Sequence, residues 1–344
     1  MRALLRAGIV GIGRMGITHF SILNTHPDVK IVAACDKSKL LLNAFAKYFD
    51  VTPFSDHKKM IEGTELDFIV VSTPTSSHTE IASIAIERNM HCFVEKPFSI
   101  SPAEGEKTLA LLHRKSLVNQ VGYVNRFNEI FVEAKRILDA GLIGKVEHFK
   151  FEMFGRTIIE NKPSGWRGQK AYGGGCLYEF ASHCIDLVIF LIGMPQKVTG
   201  SRLQSVFSSD VEDIVTSTFI YADGCSGTIL VNWSDASYRK PSNKLEIFGK
   251  KGKLIADRYG FKIFLNEEVE EFSFHKGWNS RYITEFAQGV RFYVRGNEFT
   301  RQLDYFVDCI QRKSPSETCS FSEALKTDIV IDRILQDHKM STQC

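Results

Sequence analysis

The fold is decided near the start of the chain by the stretch AGIVGIGRMG, residues 7–16. Its last six residues form the pattern G-x-G-x-x-G, which follows an apolar run of strand length and opens a run of helical length. An acidic residue, Asp36, comes 20 residues after Gly16, directly behind a second apolar run. In that context Gly11 permits a tight turn, Gly13 lets the backbone approach a pyrophosphate, and Gly16 allows close helix–strand packing. The stretch therefore predicts a binding site for a dinucleotide.

Two charged residues behind the second run bear on which dinucleotide binds. The carboxylate of Asp36 can accept hydrogen bonds from the adenosine ribose hydroxyls, and it would repel a 2′-phosphate. Lys37 beside it is a cation that would tolerate a phosphate. NAD is therefore the predicted cofactor, with NADP as the less favoured alternative. Arg14 and Met15 complete the glycine loop, so we expect them at the cofactor as well.

Short apolar runs alternate with stretches of helical length over the first 122 residues. The strand-length runs lie at 7–11, 30–35, 67–72, 91–94 and 117–121, and the helix-length stretches at 15–24, 38–49, 77–88 and 102–115. Most of these runs are apolar at consecutive positions, as expected where both faces of a parallel sheet are covered. The alternation predicts an α/β domain over residues 1–122, a doubly wound parallel sheet of the Rossmann type.

The pattern changes beyond about residue 145, where strand-length runs follow one another with short turns between them. These runs lie at 147–154, 211–221, 227–233, 244–248 and 262–265, and further helices are predicted at 173–192, 299–312 and 322–337. Consecutive strands joined by short turns imply a mainly antiparallel sheet. We therefore expect a second domain of the α+β class over residues 123–344, whose helix 322–337 packs back on the first domain.

Composition and charge exclude several classes of protein. The chain has 344 residues, 44% of them hydrophobic and 24% charged, which are ordinary values for a soluble globular protein of two domains. A net charge of +3 is too weak to predict nucleic-acid binding, and no apolar run is long enough to suggest a membrane partner. The 8 cysteines form no CxxC pair and have no zinc-site spacing, so we expect no metal and reduced thiols in a cytoplasmic protein.

One polar motif follows the third predicted strand and so falls at the carboxyl edge of the sheet, where ligands of open α/β sheets bind. It is the loop STPTSSH at residues 72–78, whose small hydroxyl residues and proline suit the wall of a cofactor site. A helix cap formed by Ser76 or Ser77 is an alternative role for the same loop. The expected cofactor contacts in this loop are Ser72, Thr73, Pro74 and His78.

A second motif, Glu95-Lys96-Pro97, follows the run 91–94 and reaches the same edge. A lysine directly before a proline is held extended, and we expect this to project its ammonium group into a cleft between the two expected domains. We expect Glu95 and Lys96 to contact the cofactor. A solvated surface lysine is the alternative for Lys96.

Several motifs in a fixed order give the chain a resemblance to a known family. Besides the glycine stretch and the two motifs above, they are GYVNRF at residues 122–127, Trp166-Arg167, and the segment 173–186 with three glycines, His183 and Asp186. Nearly the whole chain thereby resembles the Gfo/Idh/MocA oxidoreductases, named after glucose-fructose oxidoreductase and inositol dehydrogenase. The resemblance implies NAD-dependent hydride transfer at a hydroxyl-bearing carbon of a sugar-like substrate. It also implies a homodimer or homotetramer formed through the second-domain sheet.

The resemblance assigns catalytic roles to single residues. Lys96 is implied to contact both the nicotinamide ribose and the substrate hydroxyl, where a cation stabilises a developing alkoxide. His183 is implied to be the general acid/base, a role that suits a side chain whose ordinary pKa lies near neutrality. Glu179 stands four residues before His183, on the same face of a regular helix, where many relatives have aspartate. Asp186, three residues beyond His183, is the alternative partner for its ring.

The remaining assignments concern the walls of the site. Tyr123, Asn125 and Arg126 are implied to line the substrate side, together with Glu179 and Asp186. Trp166 and Arg167 are implied to lie near the cofactor, and an interdomain contact explains that pair equally well.

The substrate and the reaction stay open at this point. Cations in the second domain favour a nucleotide-linked sugar, although an ordinary solvated face explains them equally well; they are Arg156, Lys162, Lys170, Arg239 and Lys240. A NAD-dependent lyase or glycosidase, with transient oxidation and no net turnover of NAD, is one alternative function. A non-catalytic dinucleotide-binding regulator is another, against which the presence of both Lys96 and His183 argues.

Overall fold

A computed structural model of the chain describes residues 4–113, 115–160 and 165–342. The chain divides into two compact units. Unit 1 comprises Met1–Val124 and Gly289–Leu325, and unit 2 comprises Asn125–Gln288 and Lys326–Cys344. One residue singled out above, Lys162, lies outside the described residues.

Fourteen strands are formed within the described ranges. They are β1 (Leu5–Val10), β2 (Val29–Cys35), β3 (Thr52–Phe54), β4 (Phe68–Val71), β5 (His91–Val94), β6 (Asn119–Val121), β7 (Val146–Phe154), β8 (Lys197–Gln204), β9 (Ile214–Ile220), β10 (Ser226–Asn232), β11 (Ser242–Gly249), β12 (Gly252–Asp257), β13 (Gly260–Leu265) and β14 (Gly277–Tyr282).

Ten α-helices accompany these strands in the described part of the chain. They are α1 (Arg14–Leu23), α2 (Lys39–Tyr48), α3 (His57–Gly63), α4 (His78–Glu87), α5 (Pro102–Leu111), α6 (Glu129–Asp139), α7 (Ser182–Leu191), α8 (Ile283–Phe286), α9 (Asn297–Arg312) and α10 (Phe321–Thr342). A π-helical turn, Leu177–Ala181, directly precedes α7.

Unit 1 is built on a six-stranded sheet whose order is β3-β2-β1-β4-β5-β6. All neighbouring pairs run parallel, as the sequence predicts. Strands β4 and β5 are buried along almost their whole length, and the core of the unit also takes in Phe306 from α9. Two short elements, β3 and α3, were not predicted, because most of their residues are exposed and carry no apolar period.

The course of the chain differs from the expected division at residue 122. Unit 1 ends its first segment at Val124, and residues 289–325 return to it. Helix α9 belongs to this unit because its apolar face joins the core beside β1, β4 and β5. Helix α10 belongs to unit 1 up to Leu325 and to unit 2 from Lys326, where Val330, Ile331 and Ile334 lie in the core. That helix 322–337 packs back on the first domain stays a prediction.

Unit 2 contains an eight-stranded sheet in the order β14-β13-β12-β11-β7-β10-β9-β8. Its neighbours pair antiparallel except for β7 and β10, which run parallel. In β7 the side chains of Phe149, Phe151 and Met153 are buried on one face while Lys150 is exposed on the other. This alternation places a core of helices and loops against one face of the sheet.

Unit 2 contains several elements that the sequence did not predict. Strands β8, β12 and β14 and helix α6 were not predicted. Helix α6 begins at the Asn128 side chain, which accepts a hydrogen bond from the amide of Ile130.

One helical run in unit 2, Lys170–Leu191, is long and apolar enough to cross a membrane by length and composition alone. Of its most apolar window, 18 residues long, 78% is buried inside the structure. Such burial is typical of the core helix of a globular domain.

Candidate functional site

The glycine loop lies between β1 and α1 and has the shape that a pyrophosphate requires. Gly11 has φ +89°, and a Cβ atom there would lie 2.8 Å from the backbone of Ser72. A Cβ on Gly16 would lie 1.9 Å from the carbonyl oxygen of Gly11, whereas a Cβ on Gly13 would meet nothing within 4 Å. Gly13 caps α1 without a side-chain hydrogen bond. The loop is thus closely packed at Gly11 and Gly16 and open at Gly13, next to the amides that begin α1. This arrangement fits a bound dinucleotide.

Asp36 is fixed at the end of β2 by two backbone amides. Its Oδ2 atom accepts from the amide of Ile12 at 2.7 Å, and its Oδ1 atom accepts from the amide of Ser38 at 2.8 Å. The side chain is half-buried while Lys37 is exposed. A carboxylate held this close to the glycine loop fits the ribose of NAD and opposes a 2′-phosphate, in agreement with the predicted cofactor.

The motifs of unit 1 meet at one edge of the sheet because the strands before them are in register. Val10, Val71, Val94 and Val121 are aligned across β1, β4, β5 and β6. The next amides along the chain continue the ladder at 2.8 Å each; they are Ser72 to Val10, Glu95 to Val71, and Gly122 to Val94. The sequence prediction that these motifs share the carboxyl edge is therefore confirmed.

His78 is buried and links two of the turns at this edge. The residue is 1% exposed, and its ring nitrogens lie 2.9 Å from the carbonyl oxygens of Thr73 and Pro97. Ser72 donates from its hydroxyl to the carbonyl of Gly11 at 3.0 Å. The side chain of His78 thus joins the loop 72–78 to the turn after Lys96, and its expected contact with the cofactor stays a prediction.

Glu95 is also buried, and its partners hold the turn that carries Lys96. Its Oε1 atom lies 2.7 Å from Nε2 of His19, and its Oε2 atom accepts from the amide of Lys96 at 3.2 Å. Gly122 packs against the carboxylate, because a Cβ there would lie 3.0 Å from Oε1. Lys96 is half-buried, and the Lys96–Pro97 peptide bond is cis. His19 was not predicted as a site residue; its signal in the sequence was a polar side chain on the buried face of α1.

Two residues of unit 2 that were expected on the substrate side form a buried ion pair. Nε of Arg126 lies 3.0 and 3.1 Å from the two carboxylate oxygens of Asp186, and its Nη2 atom lies 2.7 Å from Oδ1. The two side chains are only 4% and 1% exposed. Asn125 beside them is buried, and Tyr123, the last-but-one residue of the first segment of unit 1, is fully buried.

A second ion pair brings together Arg167 and Glu179. Their Nε and Oε2 atoms lie 2.9 Å apart, and the guanidinium stacks 4.8 Å from the ring of Trp166. The carbonyl of Arg167 accepts from the amide of Gly175 at 3.0 Å, and Gly174 packs against the same carbonyl. The Trp166-Arg167 segment is therefore seated on the glycine-rich segment that leads to His183.

His183 lies in the first turn of α7 and is half-buried, in contrast to its neighbours Ser182 and Cys184. Glu179 lies in the preceding π-helical turn, Leu177–Ala181. The expectation that Glu179 and His183 share one face assumed a regular α-helix, and the wider turn changes the angle between them. Such π-helical turns occur often at functional sites.

Glu212 is a further polar residue at this helix that the sequence analysis missed. Its carboxylate accepts from the amide of Leu177 at 2.7 Å and lies against Gly175. Burial raises the pKa of Glu212 to about 7. Burial acts to raise the pKa of its neighbour Asp213. The hydroxyl of Ser208 at 2.6 Å, the indole of Trp233 at 2.7 Å and three backbone amides donate to this carboxylate, outweigh burial and lower its pKa to about 2.

Family comparisons cover most of both units. Residues 5–123 match the family described as "Oxidoreductase family, NAD-binding Rossmann fold", and residues 131–255 match the "GFO/IDH/MocA C-terminal domain".

Two inositol dehydrogenases are similar over about nine-tenths of the chain. The chain is 26% identical over 331 residues to the scyllo-inositol 2-dehydrogenase (NAD(+)) of Bacillus subtilis (strain 168), covering 92% of this chain and 90% of that protein. It is 24% identical over 319 residues to the myo-inositol 2-dehydrogenase of Thermotoga maritima, covering 90% of each. The match to an uncharacterized oxidoreductase of Schizosaccharomyces pombe, at 27% identity, spans only 54% of that protein. Among solved structures, levoglucosan dehydrogenase in complex with NADH has a TM-score of 0.87 at 20% identity, covering 98% of this chain and 97% of that one. That likeness shows a shared fold.

Proposed function

Since this chain belongs to the Gfo/Idh/MocA family of NAD-binding oxidoreductases, we propose that it oxidises a secondary hydroxyl of an uncharged sugar or polyol. The observation that carries the proposal is the register of unit 1. The glycine loop, the loop 72–78 and the turn with Lys96 begin at the same level of one parallel sheet. A cofactor on this edge and an ammonium group at the same edge are what hydride transfer from an alcohol needs.

Different residues of unit 1 bind the pyrophosphate, the adenosine ribose and the reacting hydroxyl. The amides at the start of α1 donate to the pyrophosphate, which occupies the open space at Gly13. Asp36 accepts hydrogen bonds from the adenosine ribose. When bound there, NAD supplies the hydride acceptor. Lys96 donates to the reacting hydroxyl and stabilises negative charge on its oxygen as the C–H bond breaks.

The residues of unit 2 provide the base and the substrate wall. His183 takes the hydroxyl proton, so that loss of a hydride and a proton converts the CH–OH group to a carbonyl. Glu179 is held for contact with the substrate by Arg167. Arg126 and Asp186 form an internal support behind the wall, and Asn125 and Tyr123 lie next to that support in sequence.

The charge balance of unit 2 favours an uncharged substrate over a nucleotide-linked sugar. Arg167, the arginine of this wall, is already paired with Glu179 at hydrogen-bond distance, and Arg126 behind it is paired with Asp186. A diphosphate would have to compete with Glu179 for Arg167, whereas the hydroxyls of a polyol can use that carboxylate as an acceptor. The inositol and levoglucosan dehydrogenases named above are consistent with this class.

The experiment follows reduced-nicotinamide absorbance across a panel of inositols, aldoses, an anhydrosugar and UDP-sugars. We expect net NADH formation with an uncharged member, loss of turnover in Lys96→Ala and His183→Ala, and retained NADH binding in both variants. Substrate consumption without net NADH would instead indicate a lyase or glycosidase. Unchanged turnover in Lys96→Ala would contradict the mechanism.

We also propose a cytoplasmic homodimer or homotetramer formed through the sheet of unit 2. The face of this sheet opposite the core exposes large side chains that include Phe248, Trp278 and Tyr282, at 53%, 57% and 60%. Their burial between copies would stabilise association. Light scattering after size-exclusion chromatography tests this, and the charged variant Trp278→Glu should yield monomers.

A further inference from the structure

The turn that carries Lys96 is held on both sides by buried histidines. Glu95, directly before the lysine, contacts His19, and Pro97, directly after it, contacts His78. Both histidines are buried, at 0% and 1% exposure. Neither was assigned such a role by the sequence patterns.

His19 contacts the carboxylate of Glu95 in the buried interior of unit 1. Glu95 is 8% exposed, and the ring of His19 packs edge-on against Phe93 with centroids 5.1 Å apart. A carboxylate so deeply buried depends on its hydrogen-bond donors to keep its position. The second oxygen of Glu95 accepts from the amide of Lys96. A change at His19 that moves the carboxylate would therefore also move the backbone of the lysine.

The contact of His78 joins two carbonyl groups. A carbonyl oxygen can only accept, so a neutral ring donates to one of Thr73 and Pro97 and a protonated ring to both. In either state the ring fills the space between the loop 72–78 and the turn after Lys96. Glu95 and Lys96 are the charged groups near this ring.

The two histidines come from elements that begin at the expected cofactor site. His19 lies in α1, whose first turn follows the glycine loop, and His78 opens α4, directly after the loop 72–78. Three segments expected to touch the dinucleotide are therefore joined by two side chains within unit 1.

We propose that His19 and His78 are positioning residues that brace the Glu95-Lys96-Pro97 turn and couple dinucleotide binding at the glycine loop to the placement of the Lys96 amine. The proposal rests on the proposed function for the value of that placement. The brace itself is a property of unit 1 and is testable without turnover.

The test is hydrogen exchange followed by mass spectrometry on the full chain, with and without NADH. The variants are His19→Leu, which removes the donor, His19→Gln, whose amide can still donate to Glu95, and His78→Leu. His113→Gln, an exposed histidine of the same unit, is the matched control. Peptides covering residues 9–17 report NADH binding, and peptides covering residues 93–99 report the turn.

In the wild type and in His113→Gln we expect NADH to protect both peptides. In His19→Leu we expect the 9–17 peptide to stay protected while exchange in the 93–99 peptide rises about 10-fold, as loss of a charged hydrogen bond implies. His19→Gln should restore most of the protection, and His78→Leu should behave like His19→Leu. In the histidine variants, kcat should fall by a larger factor than the factor by which the KM for NAD changes.

Equal protection of the 93–99 peptide in the wild type and in His19→Leu overturns the coupling. If His19→Leu proves too unstable to handle, the same comparison between His19→Gln and His78→Leu decides the question. Failure of the proposed function has a different signature, namely no protection of the 9–17 peptide by NADH in the wild type.

Discussion

Arg126 and Asp186 form a bidentate ion pair inside unit 2, with the guanidinium Nη2 2.7 Å from a carboxylate oxygen and both side chains almost fully buried. Removal of one partner leaves a charge in a low-dielectric interior. We expect Arg126→Leu to lower the free energy of unfolding by about 3–5 kcal/mol. The double variant Arg126→Leu/Asp186→Leu should lose clearly less. Urea unfolding of the three proteins measures the difference, and a double variant less stable than the single one would contradict it.

Gly13 and Gly16 offer a matched pair of substitutions in one loop. A Cβ on Gly16 overlaps the carbonyl of Gly11 at 1.9 Å, so Gly16→Ala should destabilise the protein by several kcal/mol, about 3 or more. A Cβ on Gly13 meets no protein atom within 4 Å, so Gly13→Ala should keep its melting temperature. That methyl group would occupy the space expected for pyrophosphate, and the affinity for NADH should fall by about 10-fold or more. Thermal melts and NADH fluorescence titrations check both outcomes.

Glu179 depends on its full side-chain length to reach Arg167. In Glu179→Asp the carboxylate withdraws by one methylene from a contact of 2.9 Å. We expect kcat/KM for the best polyol to fall by about 10-fold, because the arginine loses a charged hydrogen bond and the substrate wall loosens. The melting temperature should change little, since the arginine is more than a third exposed. Steady-state kinetics decide the matter, and unchanged kcat/KM would show that the pair has no part in substrate binding.

Glu212 should make the stability of unit 2 fall as pH rises. Its pKa is about 7 in the folded state, above the ordinary value of 4.5, so the folded state holds more protons between those values. The favourable contribution is complete below about pH 4.5 and is lost as the pH rises through 7. We expect Glu212→Gln to remove this dependence and to gain up to about 3 kcal/mol relative to the wild type at pH 8. Urea unfolding from pH 5 to pH 8 measures it, with the exposed variant Glu267→Gln as the control; parallel profiles would refute the assignment.

Much of unit 1 could be predicted because its signals are local. Strand β5 has the bounds that its apolar run predicts, and the motifs behind β1, β4 and β5 meet because parallel strands in register bring their ends together. The return of residues 289–325 could not be predicted, since an amphipathic helix does not specify which sheet its apolar face will cover.

The side-chain contacts among the candidate site residues could not be predicted from the sequence. The pairing of Arg167 with Glu179 and of Arg126 with Asp186 joins positions 12 and 60 residues apart, and no pattern of spacing specifies such contacts. The π-helical turn before α7 likewise arises from packing, so the regular helical spacing assumed for Glu179 and His183 was wrong at that point. His19 escaped notice because a single histidine on an apolar helix face has no period.

The position of Lys96 depends on the backbone pairing of β5 with its neighbours in the ladder of β1, β4, β5 and β6. If β5 slipped by one residue against β4, side chains along it would exchange faces, and Lys96 would point toward the opposite side of the sheet. Deletions within these strands should therefore abolish chemistry outright, whereas insertions beyond the turns leave the level of the ammonium group unchanged.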